Sequence, residues 1–138
     1  MERQVQLLVM KDVTSREDVE LLVRNFYTKV RKNDTLGYIF DEVMKIDWEH
    51  HIPILVDFWE TMLLDTDSYK RNAMAEHFKV NQKIKLEPLH FSTWLTLFDQ
   101  TVDELFSGQK AKLAKKRAHS IGQIMLLKMQ QINKTDNQ

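Results

Sequence analysis

The segment Asp47–Leu64, DWEHHIPILVDFWETMLL, decides how this chain is read. On an α-helix each residue turns about 100° from the last, so with His51 at zero Leu55 falls near ~40°, Phe58 near ~340°, Trp59 near ~80° and Met62 near ~20°. These residues share one apolar face, and His51 belongs to it. His50 lies about 100° to one side, at the charged edge, so the adjacent histidines point in different directions. Asp47 is the expected N-cap, and the polar DTDS that follows Leu64 ends the element. Pro53 removes the backbone bond to the Glu49 carbonyl, which predicts a bent or loosened first turn and a half.

Outward from this helix the same periodicity recurs. Thr14-Ser15-Arg16-Glu17 reads as a capping box opening a helix whose buried stripe is Val19, Leu22, Val23, Phe26, Tyr27 and Val30. That helix is expected to stop near Asn33-Asp34. A short element then carries Leu36, Ile39, Phe40, Val43 and Met44. Beyond DTDS, RNAMAEHF reads as a brief helical patch, while KVNQKIKLEPL shows no helical face. A fifth helix after Pro88 buries Phe91, Trp94, Leu95, Phe98, Val102 and Leu105, and Gly108 is placed to end it. A sixth, over 109–132, buries Leu113, Ala114, Ala118, Ile121, Met125 and Met129.

Three glycines and two prolines in 138 residues are too few for the turns of a many-stranded sheet, so the expected fold class is all-α. The length suits one domain with a sizeable core. Lysine plus arginine and aspartate plus glutamate both number 20, which leaves no global field to recruit nucleic acid or an anionic membrane. The basic run KAKLAKKRAHS falls on the polar face of the sixth helix and reads as a solvated surface. No apolar run approaches the roughly 20 residues of a membrane span, and MERQVQLLVMKD is too short and too charged for a secretory signal. A cytoplasmic protein is the expectation. The absence of cysteine excludes disulfides, thiolate nucleophiles, iron–sulfur clusters and cysteine-based zinc sites.

Two histidines remain on inward faces, His51 and His77, the latter with Ala73 and Met74 on its inner side. If the intervening loop turns their elements to face each other, these imidazoles with Phe26, Phe40, Phe58, Trp59 and Met74 could enclose a planar apolar cofactor with a metal at its centre. Equally, histidines at the ends of apolar faces serve as satisfied structural residues, and spacing does not choose between the two. Other metal and nucleophile chemistries lack their motifs: no His-Glu-x-x-His, no inward Glu-x-x-His pair and no Gly-rich phosphate loop.

Four segments in order, LLVRNFYTKVRKNDTLGYIF, DWEHHIPILVDFWETMLL, YKRNAMAEH and HFSTWLTLFDQTVDELF, resemble the truncated globin family, group III, over roughly residues 15–130. The resemblance implies a two-on-two helical sandwich around haem b. It implies that His77 is the proximal ligand of the haem iron, and that Tyr27, His51 and Trp94 form the distal ligand-binding side. It places Phe40 against the haem face, with Phe26, Leu55, Phe58, Trp59 and Met74 in the cofactor pocket and Tyr69 near the haem edge. The chain departs from the family pattern at Arg71 and Ala73, where glycine and proline are frequent, and at Asp65, where a glycine commonly ends the distal helix. The loop from Lys79 to Leu89 reads as long.

The organisation expected is an N-terminal arm over 1–13, a globin domain over 14–132 and a disordered tail over 133–138. The function implied is reversible binding of O2 and other diatomics such as CO and NO at a five-coordinate ferrous iron, by a monomer. Two alternatives stay open. One is a haem enzyme, nitric oxide dioxygenase-like or peroxidase-like, served by a reductase. The other is a cofactor-free helical interaction module.

Overall fold

The computed structural model of the chain describes residues 10–136, without the side chains of Met74, Phe78, Thr135 and Asp136. Five α-helices and one π-helical turn make up its regular structure: α1 (Arg16–Lys32), the turn Ile39–Val43, α2 (Trp48–Leu64), α3 (Ala73–Lys83), α4 (Pro88–Leu105) and α5 (Gln109–Asp136). Helix α1 packs on α2 and α4, α4 on α5, and α2 on α5, so two helix pairs form the sandwich. The short α3 lies against α5. Among the described residues there is no strand, as the low glycine and proline content leads one to expect.

All six stripe residues of α1, from Val19 to Val30, are buried. They meet Ile52, Val56, Trp59 and Leu63 of α2 and Phe98 and Val102 of α4 in one continuous core. Each such fully buried large aliphatic or aromatic side chain contributes about 1.5–3 kcal/mol relative to exposure. A smaller cluster of Ile39, Leu86, Phe91, Met125 and Met129 fills the far end.

The helix ends differ from the sequence expectation in instructive ways. The N-cap of α1 is Ser15, one residue beyond Thr14, and its hydroxyl accepts from the Asp18 amide at 3.2 Å. Asp18 replaces Glu17 as the reciprocating acid, accepting from the Thr14 amide at 2.9 Å. Asp47 does cap α2 by position, but no side-chain capping bond forms, and the helix runs through Pro53 to Leu64. Asp65 then takes the left-handed conformation, φ 57°, that a glycine adopts without strain.

Helix α3 extends to Lys83, so the stretch KVNQK read as non-helical belongs to it, and the connection to α4 is four residues long. The reason is Asn81, which is buried like an apolar residue. Its amide donates to Asn133 Oδ1 on α5 at 2.9 Å, and its own Oδ1 accepts from the Leu86 amide at 2.8 Å. A polar residue taking a core position hides the helical period. Ala73 is the first helical residue of α3, the N1 position at which proline is also tolerated.

The part of the arm that is described, residues 10–13, is tied down. Asp12 caps α5 from a distance, accepting the Lys110 and Ala111 amides at 2.9 Å each. Gly108, φ 143°, permits this approach, since a Cβ there would lie 2.5 Å from the Asp12 carboxyl carbon. Residues 1–9 of the expected arm lie outside the described residues. Helix α5 continues to Asp136, so residues 133–136 of the expected tail are helical, and 137–138 lie outside the description.

Candidate functional site

A cavity of about 250 Å³ opens between the helix pairs, bounded by α1, the π-helical turn, α2, α3, α4 and α5. Of the residues singled out from sequence, Tyr27, Phe40, His51, Leu55, Phe58, Trp59, Tyr69, His77 and Trp94 all line it. Phe26 does not. It stands one layer behind, fully buried, with its ring edge-on to Tyr27, Trp94 and Phe98 at 4.7, 5.3 and 5.1 Å, and so supports the wall without forming it. Met74 sits on α3, and its side chain lies outside the described residues.

Burial alters His77, His51 and Tyr27 at the cavity. His77 Nδ1 is 2.8 Å from the Ala73 carbonyl oxygen, one helical turn back. A carbonyl only accepts, so Nδ1 carries the proton and the Nε2 lone pair is left available. Burial pushes the His77 imidazole below its usual value, against the opposing pull of the Ala73 carbonyl and the Glu76 carboxylate. The ring is therefore neutral near pH 7, the state in which imidazole binds metals. His51 is held low in the same direction, first by burial and then by His50, with Arg71 and His77 adding to it and Glu76 opposing. His50 itself is exposed, so the doublet is split as its helical angles require.

Tyr27 is altered in the opposite sense. Burial pushes its phenol up to about 12, and a hydrogen bond from Trp94 offsets that only in part. The indole N–H can only donate, so the Tyr27 oxygen accepts, and its own proton is free to point at a cavity occupant. Trp94 is stacked on Phe98 at 5.5 Å with the planes 10° apart, and Trp59 stacks on the other side of Phe98 at 4.8 Å. This slab of rings fixes the indole direction.

Most of the remaining wall is apolar, from Leu36, Ile39, Met44, Ile46, Ile54, Val80, Leu86, Phe91, Ile121 and Met125, with Gly122 between the last two. Ile54 shares the face of His51 at i+3 and was open to being found by periodicity. Arg71, Glu76 and His90 also line the cavity and were missed. His90 looks like a surface residue at a helix start, but its Nδ1 accepts from the Glu87 amide at 2.9 Å, which turns the ring inward. No group of three or more His, Asp or Glu able to hold a metal ion occurs among the described residues. No helix of the described residues is long and apolar enough to cross a membrane.

Comparison with known proteins follows the same line. No family model matches the chain. The chain is 28% identical over 116 residues to the group 3 truncated hemoglobin of Campylobacter jejuni subsp. jejuni, covering 80% of this chain and 87% of that relative. The crystal structure of the group III truncated hemoglobin from Campylobacter jejuni superposes with a TM-score of 0.77 at 24% sequence identity, over 88% of this chain and 95% of that one. The helices are thus arranged as in that truncated hemoglobin.

Proposed function

We propose that the chain is a truncated globin of group III, that the cavity holds haem b and that the protein binds O2 and related diatomics at its iron. The observation that carries this reading is the pairing of a buried neutral imidazole, His77, with a buried phenol donor, Tyr27, in one largely apolar cavity. The residues fit the group. His77 would hold the iron through Nε2, with its Nδ1 proton anchored on Ala73. Phe40, Leu55, Phe58 and the slab formed by Trp59, Phe98 and Trp94 supply the flat apolar surroundings that a porphyrin requires. Without cysteine, thioether attachment is excluded, and the cofactor would be held by ligation and packing alone.

When bound, the haem iron supplies the coordination bond to the diatomic. The chain supplies everything that decides how long the ligand stays. A diatomic that gains negative charge on binding is retained by donors aimed at it, and a phenol raised to about 12 keeps its proton across the physiological range. Trp94 spends its N–H on the Tyr27 oxygen, so it acts by aiming and polarising the Tyr27 hydroxyl. His51, neutral at pH 7, offers a second donor from α2.

The test is reconstitution followed by ligand release. Added haem should give a Soret band in the wild-type chain, and Tyr27→Phe should release O2 about 10–100-fold faster, the factor carried by a hydrogen bond to a charged group. Haem binding with O2 release unchanged by Tyr27→Phe would contradict the assigned polar side.

A further inference from the structure

Trp48 is not part of the cavity wall, yet its half-buried indole touches three residues that are. Its ring centroid lies 5.5 Å from Tyr27, 5.8 Å from Phe40 and 5.8 Å from His51, the last contact edge-on at 76°. On its outer side the indole N–H donates to Asp41 Oδ1 at 2.9 Å. Asp41 Oδ2 accepts from Arg31 Nε at 3.2 Å, and the Arg31 guanidinium carbon stands 5.1 Å from the Trp48 ring centroid. Three elements converge on one ring: α1 through Tyr27 and Arg31, the π-helical turn through Phe40 and Asp41, and α2 through Trp48 and His51.

The first turn of α2 has few supports of its own. Asp47 makes no side-chain capping bond, and Pro53 leaves the Glu49 carbonyl without its helical donor. Trp48 is the first residue of that turn and His51 follows at i+3, on the adjoining face. What anchors the indole therefore anchors the imidazole. The π-helical turn presents Phe40 and Asp41 as neighbours, one into the cavity and one towards the indole N–H. π-Helical turns of this kind are frequent at functional sites.

We propose that Trp48 is the positioning residue that sets where the His51 imidazole and the Tyr27 hydroxyl stand in the cavity, and that Asp41, braced by Arg31, is the acceptor that holds it. The functional part rests on the reading of the cavity as a haem and diatomic pocket, whereas the positional part does not. A ring that only filled space would be replaceable by another apolar side chain. A ring held through its N–H is not, and loss of the acceptor alone would release it.

The test uses the full chain reconstituted with haem, as wild type, Trp48→Phe, Asp41→Leu and Asp41→Asn. In the CO complex the wild type should show one dominant C–O stretching band. Asp41→Leu and Trp48→Phe should add a second band at higher frequency, where the ligand has lost donor contact. CO release should accelerate about threefold to tenfold, the factor of a lost neutral hydrogen bond. Asp41→Asn, which keeps an acceptor oxygen, should restore the wild-type band. A lower melting temperature in Trp48→Phe and Asp41→Leu with the C–O band and CO release rate unmoved would overturn the proposal and leave Trp48 a packing residue. Absence of a Soret band in the wild type would sink the haem reading instead. In that event the imidazole C–H resonances of His51 in the full chain decide the positional claim: they must shift in Asp41→Leu and return in Asp41→Asn, and invariance refutes it.

Discussion

Tyr27 carries more of the account than any other residue after His77, and sequence periodicity placed it correctly for an incomplete reason. It lies on the buried stripe of α1, where an aromatic is expected to be core. What periodicity does not convey is the hydrogen bond from Trp94, a residue 67 positions away, which only the tertiary fold brings near. His51 was legible from its helical angle, and His77 from its inner-face neighbours. His90, Arg71 and Glu76 were not, because a polar residue near a helix end carries no signal of which way it turns. Two predictions belong at this scale. Burial alone would raise the Asp18 carboxyl, but the Lys11 ammonium and the Thr14 amide and hydroxyl outweigh it and bring it down to about 2. A carboxyl lowered on folding contributes stability above its unfolded value near 3.8 and loses it as pH falls towards 2. The melting temperature of Asp18→Asn should therefore lie below that of wild type at pH 6, with the gap closing between pH 4 and 2; a gap independent of pH would contradict the assignment. Asp65→Gly should raise stability by up to about 1 kcal/mol in denaturant unfolding, because glycine adopts the left-handed conformation at no steric cost.

At the scale of elements, the buried stripe of α1 followed from periodicity, whereas α2 turns Ile52, Val56, Trp59 and Leu63 to the core and the expected face of His51, Leu55 and Phe58 to the cavity, and α4 ends at Leu105, before Gly108. Helix α3 was foreshortened because its last turn is fixed by a buried asparagine bridge to α5, which looks hydrophilic in sequence. The arm was undervalued for a similar reason: a single aspartate at position 12 supplies the cap that α5 lacks locally. Asp12→Ala should cost about 0.5–2 kcal/mol, the usual worth of an N-cap, and hydrogen exchange should quicken at the Lys110 and Ala111 amides specifically. Unchanged exchange at those amides would show that the cap is supplied otherwise. Gly37 closes the connection from α1 to the π-helical turn, where a Cβ would stand 2.4 Å from the Arg31 carbonyl oxygen. Gly37→Ala should destabilise by about 1–3 kcal/mol, as overpacking against backbone does, read as a lower denaturant midpoint at constant slope.

For the whole molecule, the all-α class was legible from low breaker content and long amphipathic helices, whereas the two-on-two sandwich was implied only by the resemblance to the truncated globins. The cavity was not legible from periodicity, which assigns the same apolar residues to core or to cofactor lining without distinction. That choice rests on five helices and a π-helical turn leaving a space among them, with one imidazole on α3 and a phenol on α1 both turned into it. The central claim is that this space holds haem ligated by His77. The absorption spectrum of the reconstituted chain in ferrous and CO-bound forms, beside that of His77→Ala, tests it most directly. The account predicts a Soret band in the wild type that shifts on CO binding, and in His77→Ala a band lost or displaced, with faster haem release to an acceptor globin. A wild-type chain that takes up no haem, or a His77→Ala chain with the wild-type spectrum, would contradict it.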